Sequence, residues 1–138
     1  YGAIGIPTFS TKMTDSLCSL QHEPRAVHLM SPDTTFHFGY FTLQTYYPGA
    51  GHAPDNIVVW LPKEKILYGG CFLKSVADSN LGNLGDADIQ VWAENALKLK
   101  KRYPDPRYII VGHGPWHSLR AIDHTIHLVN AARKKAQQ

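Results

Sequence analysis

The stretch from Tyr47 to Cys71, YPGAGHAPDNIVVWLPKEKILYGGC, limits what this chain can become more than any other. It reads as a tight Gly-rich loop carrying His52, a strand over Ile57–Leu61, a charged turn Pro62–Lys65, a second strand over Ile66–Tyr68, and the ending Gly69-Gly70-Cys71. A similar local pattern recurs downstream: the strand Tyr108–Val111 runs into Gly112-His113-Gly114. Glycine beside each of these side chains lets backbone approach closely. Three metal-capable groups thus sit at loop or strand ends, and His52, Cys71 and His113 are expected to converge on a bound cation.

The rest of the chain supplies a scaffold. Ser10 or Thr11 can cap a helix whose Met13, Leu17 and Leu20 share one face, with Pro24 as its stop. Ala26–Phe38 reads as extended, with a turn at Pro32-Asp33. Gly39-Tyr40 is a hairpin bend, and Phe41–Tyr47 is the return strand. Ile57–Leu61 is apolar on both faces, which predicts an inner strand covered on two sides. Lys74–Gly85 is a polar loop. Asp86 or Asp88 is expected to cap a helix with the stripe Ile89, Trp92, Ala96, Leu99 and Tyr103, ended by Pro104-Asp105-Pro106. Ser118 should cap a last helix with the stripe Leu119, Ile122, Ile126 and Val129, fraying over Lys134–Gln138. The order β–α–β–β–β–β–α–β–α predicts an α/β sheet with helices against at least one face.

Bulk properties narrow the function classes. A length of 138 residues, 43% hydrophobic and 18% charged, fits one ordinary domain with a real core. The net charge of +3 is mild, and its two basic runs, Lys98–Arg102 and Arg133–Lys135, fall late in helices, where cations suit the helix dipole. No nucleic-acid partner is expected. No apolar run approaches the roughly 18 residues of a membrane span. Cys18 and Cys71 allow one disulfide; if Cys71 binds metal instead, Cys18 is a buried free thiol on a helix. The chain starts at Tyr1-Gly2-Ala3 without an initiating Met, so a processed or truncated product is expected.

Each candidate ligand also has an ordinary reading. Alone, His52 would be a loop histidine and Cys71 a buried structural thiol. Taken together, two imidazoles and a thiolate in glycine-flanked positions favour a metal, and zinc over magnesium or calcium.

Four segments carry a resemblance, in order and over nearly the whole chain. They are Tyr47-Pro48-Gly49-Ala50-Gly51-His52-Ala53-Pro54-Asp55-Asn56, Gly69-Gly70-Cys71-Phe72-Leu73-Lys74, Leu81-Gly82-Asn83-Leu84-Gly85-Asp86-Ala87-Asp88, and Gly112-His113-Gly114. This combination resembles the class B metallo-β-lactamases, and most of all the subclass with a cysteine zinc ligand. The resemblance implies a four-layer αββα sandwich, of which residues 1–138 would be the C-terminal part of a single domain. It implies two zinc ions per intact site: His52 would match the third histidine of the three-histidine site, and Cys71 and His113 two of the three ligands of the other. Lys74 would grip the substrate carboxylate, and Asn83 would lie near the β-lactam carbonyl oxygen as a catalytic and substrate-binding residue. Without the resemblance, Lys74 reads as a solvent-facing charge and Asn83 as a turn-former. Asp55, Asn56 and Asp86 are expected to support the ligand loops. A periplasmic or secreted location is implied as well.

The family's His-x-His-x-Asp segment is absent: none of the eight histidines forms a His-x-His. His117, His124 and His127 read as surface or packing residues. The chain is therefore expected to bring one ligand to the three-histidine site and two to the cysteine-containing site, and to need the missing N-terminal half as partner. The activity expected of the intact protein is zinc-dependent hydrolysis of β-lactams. The competing readings are a thioester or lactone hydrolase of the same fold, and a non-catalytic zinc-binding module.

Overall fold

The computed structural model describes residues 4–137. Its elements run β1 (Phe9–Thr11), α1 (Lys12–Leu20), β2 (His28–Met30), β3 (Thr35–Phe38), β4 (Phe41–Tyr46), β5 (Val58–Leu61), β6 (Ile66–Gly70), α2 (Trp92–Arg102), β7 (Tyr108–Val111) and α3 (Ala121–Ala136). Strands β3 to β7 form one five-stranded sheet in chain order, antiparallel except for the parallel β6–β7 pair at its end. A second sheet holds only the parallel pair β1 and β2. The extended segment before β3 therefore contributes a strand that the predicted order lacks.

Alternation decides which face of the large sheet is covered. Val58, Leu67, Ile109 and Val111 point to one side and form a continuous core with Trp92, Ala96 and Leu99 of α2 and Ile122 and Val129 of α3. The opposite side carries Val59, Leu61, Tyr68 and Tyr108, and the two tyrosines remain 46% and 40% exposed. The two-sided coverage expected of β5 is thus only half met by the described residues. Strand β5 is an inner strand by pairing, but it is sealed on the helix side alone.

Three helix readings need correction. In α1, Thr11 is the cap, accepting from Thr14 N at 3.2 Å, yet Met13 and Leu20 of the apolar stripe are 45% and 78% exposed. The buried residue there is Asp15, held in a two-pronged pair by Arg25 at 2.7 and 2.6 Å. Helix α1 packs on the small sheet, so its stripe has no apolar layer to enter. Helix α2 starts at Trp92 rather than after Asp86 or Asp88. The N–H of Asp88 is committed to Gly51 O at 2.8 Å, which keeps Asp88 in the loop, where its carboxylate accepts from Gln90 N at 3.0 Å. Helix α3 starts at Ala121; Ser118 instead closes the preceding turn, accepting from Arg120 N at 3.3 Å. Leu119 is consequently 55% exposed, and the buried stripe is Ala121, Ile122, Thr125, Leu128 and Val129. Lys134–Ala136 is helical rather than frayed; Tyr1–Ala3, and Gln138 at the end of the predicted tail, lie outside the described residues.

Candidate metal centre

Two of the three candidate ligands meet where β6 and β7 end side by side. Strand β6 stops at Gly70, whose φ of 53° only glycine adopts readily, and the chain turns so that Cys71 leaves the sheet. Strand β7 runs in parallel beside it and stops at Val111. Gly112 N donates to Gly70 O at 2.8 Å and fixes the two ends together. Cys71 Sγ and His113 Nε2 then lie 3.4 Å apart. The close fit depends on Gly112, because a Cβ there would sit 2.7 Å from Cys71 N and 2.9 Å from Cys71 Sγ. Both cysteines are free thiols, and Cys18 is half-exposed rather than buried.

His52 stands in a loop tied down at several points. Asn56 bridges both backbone groups of Ala53, accepting from its N–H at 3.0 Å and donating to its carbonyl. Tyr47 Oη donates to Pro54 O at 2.8 Å, and Asn95 Nδ2, on buried α2, donates to Ala50 O at 2.7 Å. His52 Nδ1 is buried and has no hydrogen-bond partner. Burial pushes the imidazole's pKa below the ordinary histidine value; the charges of Lys74 and His113 push the same way, and Asp86 opposes them. His52 is therefore held towards its neutral, ligand-competent form. Asp55 makes no hydrogen bond to His52; its charge raises the pKa of Tyr47, after burial.

Among the described residues, no three His, Cys, Asp or Glu side chains stand close enough to hold one ion. Cys71 and His113 thus stand as a contacting pair, and no third such side chain joins them in one cluster among the described residues. The donor chemistry nevertheless fits zinc: a thiol and an imidazole already in contact, and another imidazole with an unpartnered buried nitrogen.

Lys74 is not a solvent-facing charge. It is 8% exposed, its N–H donates to Thr125 Oγ1 at 2.8 Å, and its ammonium lies 5.6 Å from the centre of the Trp92 ring. Burial lowers its pKa, against the opposing pull of Cys71 and Asp78. Lys74 and His113 line the same cavity of about 300 Å³, walled by Asp78, Asn80, Leu81 and Gly82. Asn83 is exposed on the loop beyond, where its Oδ1 accepts from Gly85 N at 2.9 Å. That bond leaves the amide N–H group as the part of the side chain that can donate outward.

Asn56 braces its loop as expected, but two other bracing residues were not singled out in the sequence. Asn95 and Thr125 are polar side chains on the buried faces of α2 and α3, both nearly inaccessible. A polar residue inside an apolar helical stripe is the signal that would have found them, because burial without a partner is costly. His124, read as surface or packing, makes a hydrogen bond of 2.8 Å to Asp78 O.

No family model matches the chain. It is 38% identical over 135 residues to a metallo-beta-lactamase type 2 of Elizabethkingia meningoseptica, an alignment covering 98% of this chain and 54% of the relative. The corresponding enzyme of Bacteroides fragilis is 40% identical over 126 residues, covering 91% and 51%. The chain therefore spans about half the length of the curated relatives it matches. Among solved structures, a metallo-beta-lactamase from Pontibacter korlensis superposes with a TM-score of 0.91 at 36% identity, over 94% of this chain and 60% of that one. DIM-1 metallo-beta-lactamase exposed to ceftazidime superposes with a TM-score of 0.90 at 35% identity, over 95% and 59%. Over the stretch it spans, the chain belongs to the metallo-β-lactamases and has the fold of their C-terminal half.

Proposed function

We propose that the protein carrying this chain is a zinc-dependent hydrolase that opens the amide of β-lactam antibiotics. One observation carries the reading: Cys71 and His113 in contact at 3.4 Å, with His113 lining a cavity that the buried cation Lys74 also lines. Cys71 and His113 would hold one ion, and His52 would contribute to a second. The remaining donors would come from the part of the fold that the relatives have and this chain does not span. Bound zinc would supply the nucleophile by lowering the pKa of water towards neutrality. Lys74 would receive the carboxylate that penicillins, cephalosporins and carbapenems share, with a charge-assisted hydrogen bond. Asn83 would donate its amide N–H to the carbonyl oxygen as negative charge builds there. Residues 1–138 would form part of a single domain with the rest of the fold.

The test is hydrolysis of benzylpenicillin and imipenem by the intact protein, before and after dialysis against EDTA, with Cys71→Ser alongside. Turnover that EDTA abolishes, that zinc restores and that Cys71→Ser impairs at limiting zinc supports the reading. Full activity after metal removal, or no activity on either antibiotic with zinc loaded, overturns it. Export to the periplasm or beyond belongs to the same reading, and cell fractionation checks it.

A further inference from the structure

We propose that Trp92 is a positioning residue that holds the Lys74 ammonium across its indole face and thereby sets how tightly the site takes an anionic group. The inference rests on the reading of Lys74 as the substrate's cationic contact. Trp92 is fully buried at the start of α2. Its indole N–H donates to Phe72 O at 3.0 Å, which locks the ring onto the turn between Cys71 and Lys74. His52 and Phe72 also lie near the ring, centroid to centroid 5.8 and 6.2 Å. One immobile indole thus stands between the His52 loop and the Cys71–Lys74 turn.

The electrostatics explain why an aromatic face suits this place. Lys74 is buried enough that burial depresses its pKa. A carboxylate neighbour on the protein would keep the ammonium charged, but it would also compete with a substrate carboxylate for it. The negative face of an indole stabilises a desolvated cation while leaving its N–H groups free to bind. The 5.6 Å separation lies within the range over which this attraction acts. Asp78, whose charge also favours protonated Lys74, accepts from Ser75 N at 2.9 Å through its Oδ2 and makes no hydrogen bond to Lys74.

The experiment uses the intact zinc-loaded protein and benzylpenicillin, with the penicillin methyl ester as a probe that lacks the carboxylate. Trp92 is replaced by its mono-, di-, tri- and tetrafluoro forms, which empty the ring face of negative charge while keeping its shape and N–H. The expected result is a stepwise rise in KM for the acid, about threefold or more at full fluorination, with kcat nearly constant and no trend for the ester. Lys74→Met should raise KM for the acid and remove the fluorination trend. A flat KM series, together with a sensitive Lys74→Met, overturns the role of Trp92 and leaves that of Lys74 standing. A Lys74→Met variant with unchanged KM overturns the reading of Lys74 itself. A parallel trend for acid and ester would mean that Trp92 acts on packing alone and would also overturn the proposal.

Discussion

Cys71 Sγ and His113 Nε2 stand 3.4 Å apart although 42 residues separate them in the chain. They are brought together by two parallel strands that end level with each other, and by the lack of a side chain at Gly112. Gly112→Ala should therefore force Cys71 away from His113, since the new methyl would overlap both its N and its Sγ. The expected outcome in the intact protein is at least a tenfold loss of zinc affinity, within the range caused by misorienting a ligand. Competition with a chromogenic chelator measures it, and wild-type affinity would refute the fit argued for Gly112.

Asn95→Ala removes the donor to Ala50 O and leaves that carbonyl unpaired next to the His52 loop. Loss of one partner of a buried hydrogen bond costs about 1–3 kcal/mol. Thermal melting should show the destabilisation. Asn95→Asp, which keeps the size but withdraws the donor, should be no better.

Thr125→Val keeps the shape of a fully buried residue but strips the hydroxyl that accepts from Lys74 N at 2.8 Å. A loss of about 1–2 kcal/mol is expected from the orphaned N–H. Faster amide exchange at Lys74 would locate the loss there, and unchanged exchange at that amide would contradict it.

The Asp15–Arg25 pair makes stability depend on acid. Its hydrogen bond to Arg25 holds the Asp15 pKa below the ordinary carboxylate value. A lowered folded-state pKa means the unfolded chain binds the proton more readily, so the contribution is complete above the usual carboxylate range and disappears as pH falls through the folded value. The Tm gap between wild type and Asp15→Asn should thus be widest near neutral pH and close in strong acid. A gap that does not change with pH would show that the pair's charge is not what matters.

The 138-residue chain alone should not turn over benzylpenicillin at an enzymatic rate, even with excess zinc. Among its described residues the ligands come as a pair and a single, whereas catalytic zinc sites use three protein donors. Ordinary turnover in a stopped assay would show that this donor count is wrong.

Sequence alone revealed the framework where periodicity is strong. Strands β4 to β7 and the hairpin bend at Gly39 were readable because alternation and turn chemistry agree there. The cap of α1 at Thr11 was readable too, but the starts of α2 and α3 were not, because Asp88 and Ser118 look like caps but are recruited by loops, one of them through a bond to Gly51 that no local rule anticipates. The stripe of α1 misled for a related reason: Met13, Leu17 and Leu20 have helical spacing, but spacing does not say whether an apolar layer waits opposite. At the site, glycine-flanked His and Cys were legible by type. The 3.4 Å approach of Cys71 to His113 was not, since donor distances are set by tertiary packing. The burial of Lys74 and its place beside Trp92 were hidden for the same reason.

Strands β6 and β7 pair in parallel, so everything between Cys71 and Tyr108 is a crossover that leaves the sheet and returns to it. The gap between thiol and imidazole is written into where the two strands stop, not into how many residues the detour contains. Insertions or deletions on the solvent side of residues 76–85 could accordingly reshape the cavity mouth from one natural variant to another while the ligand spacing stays as it is.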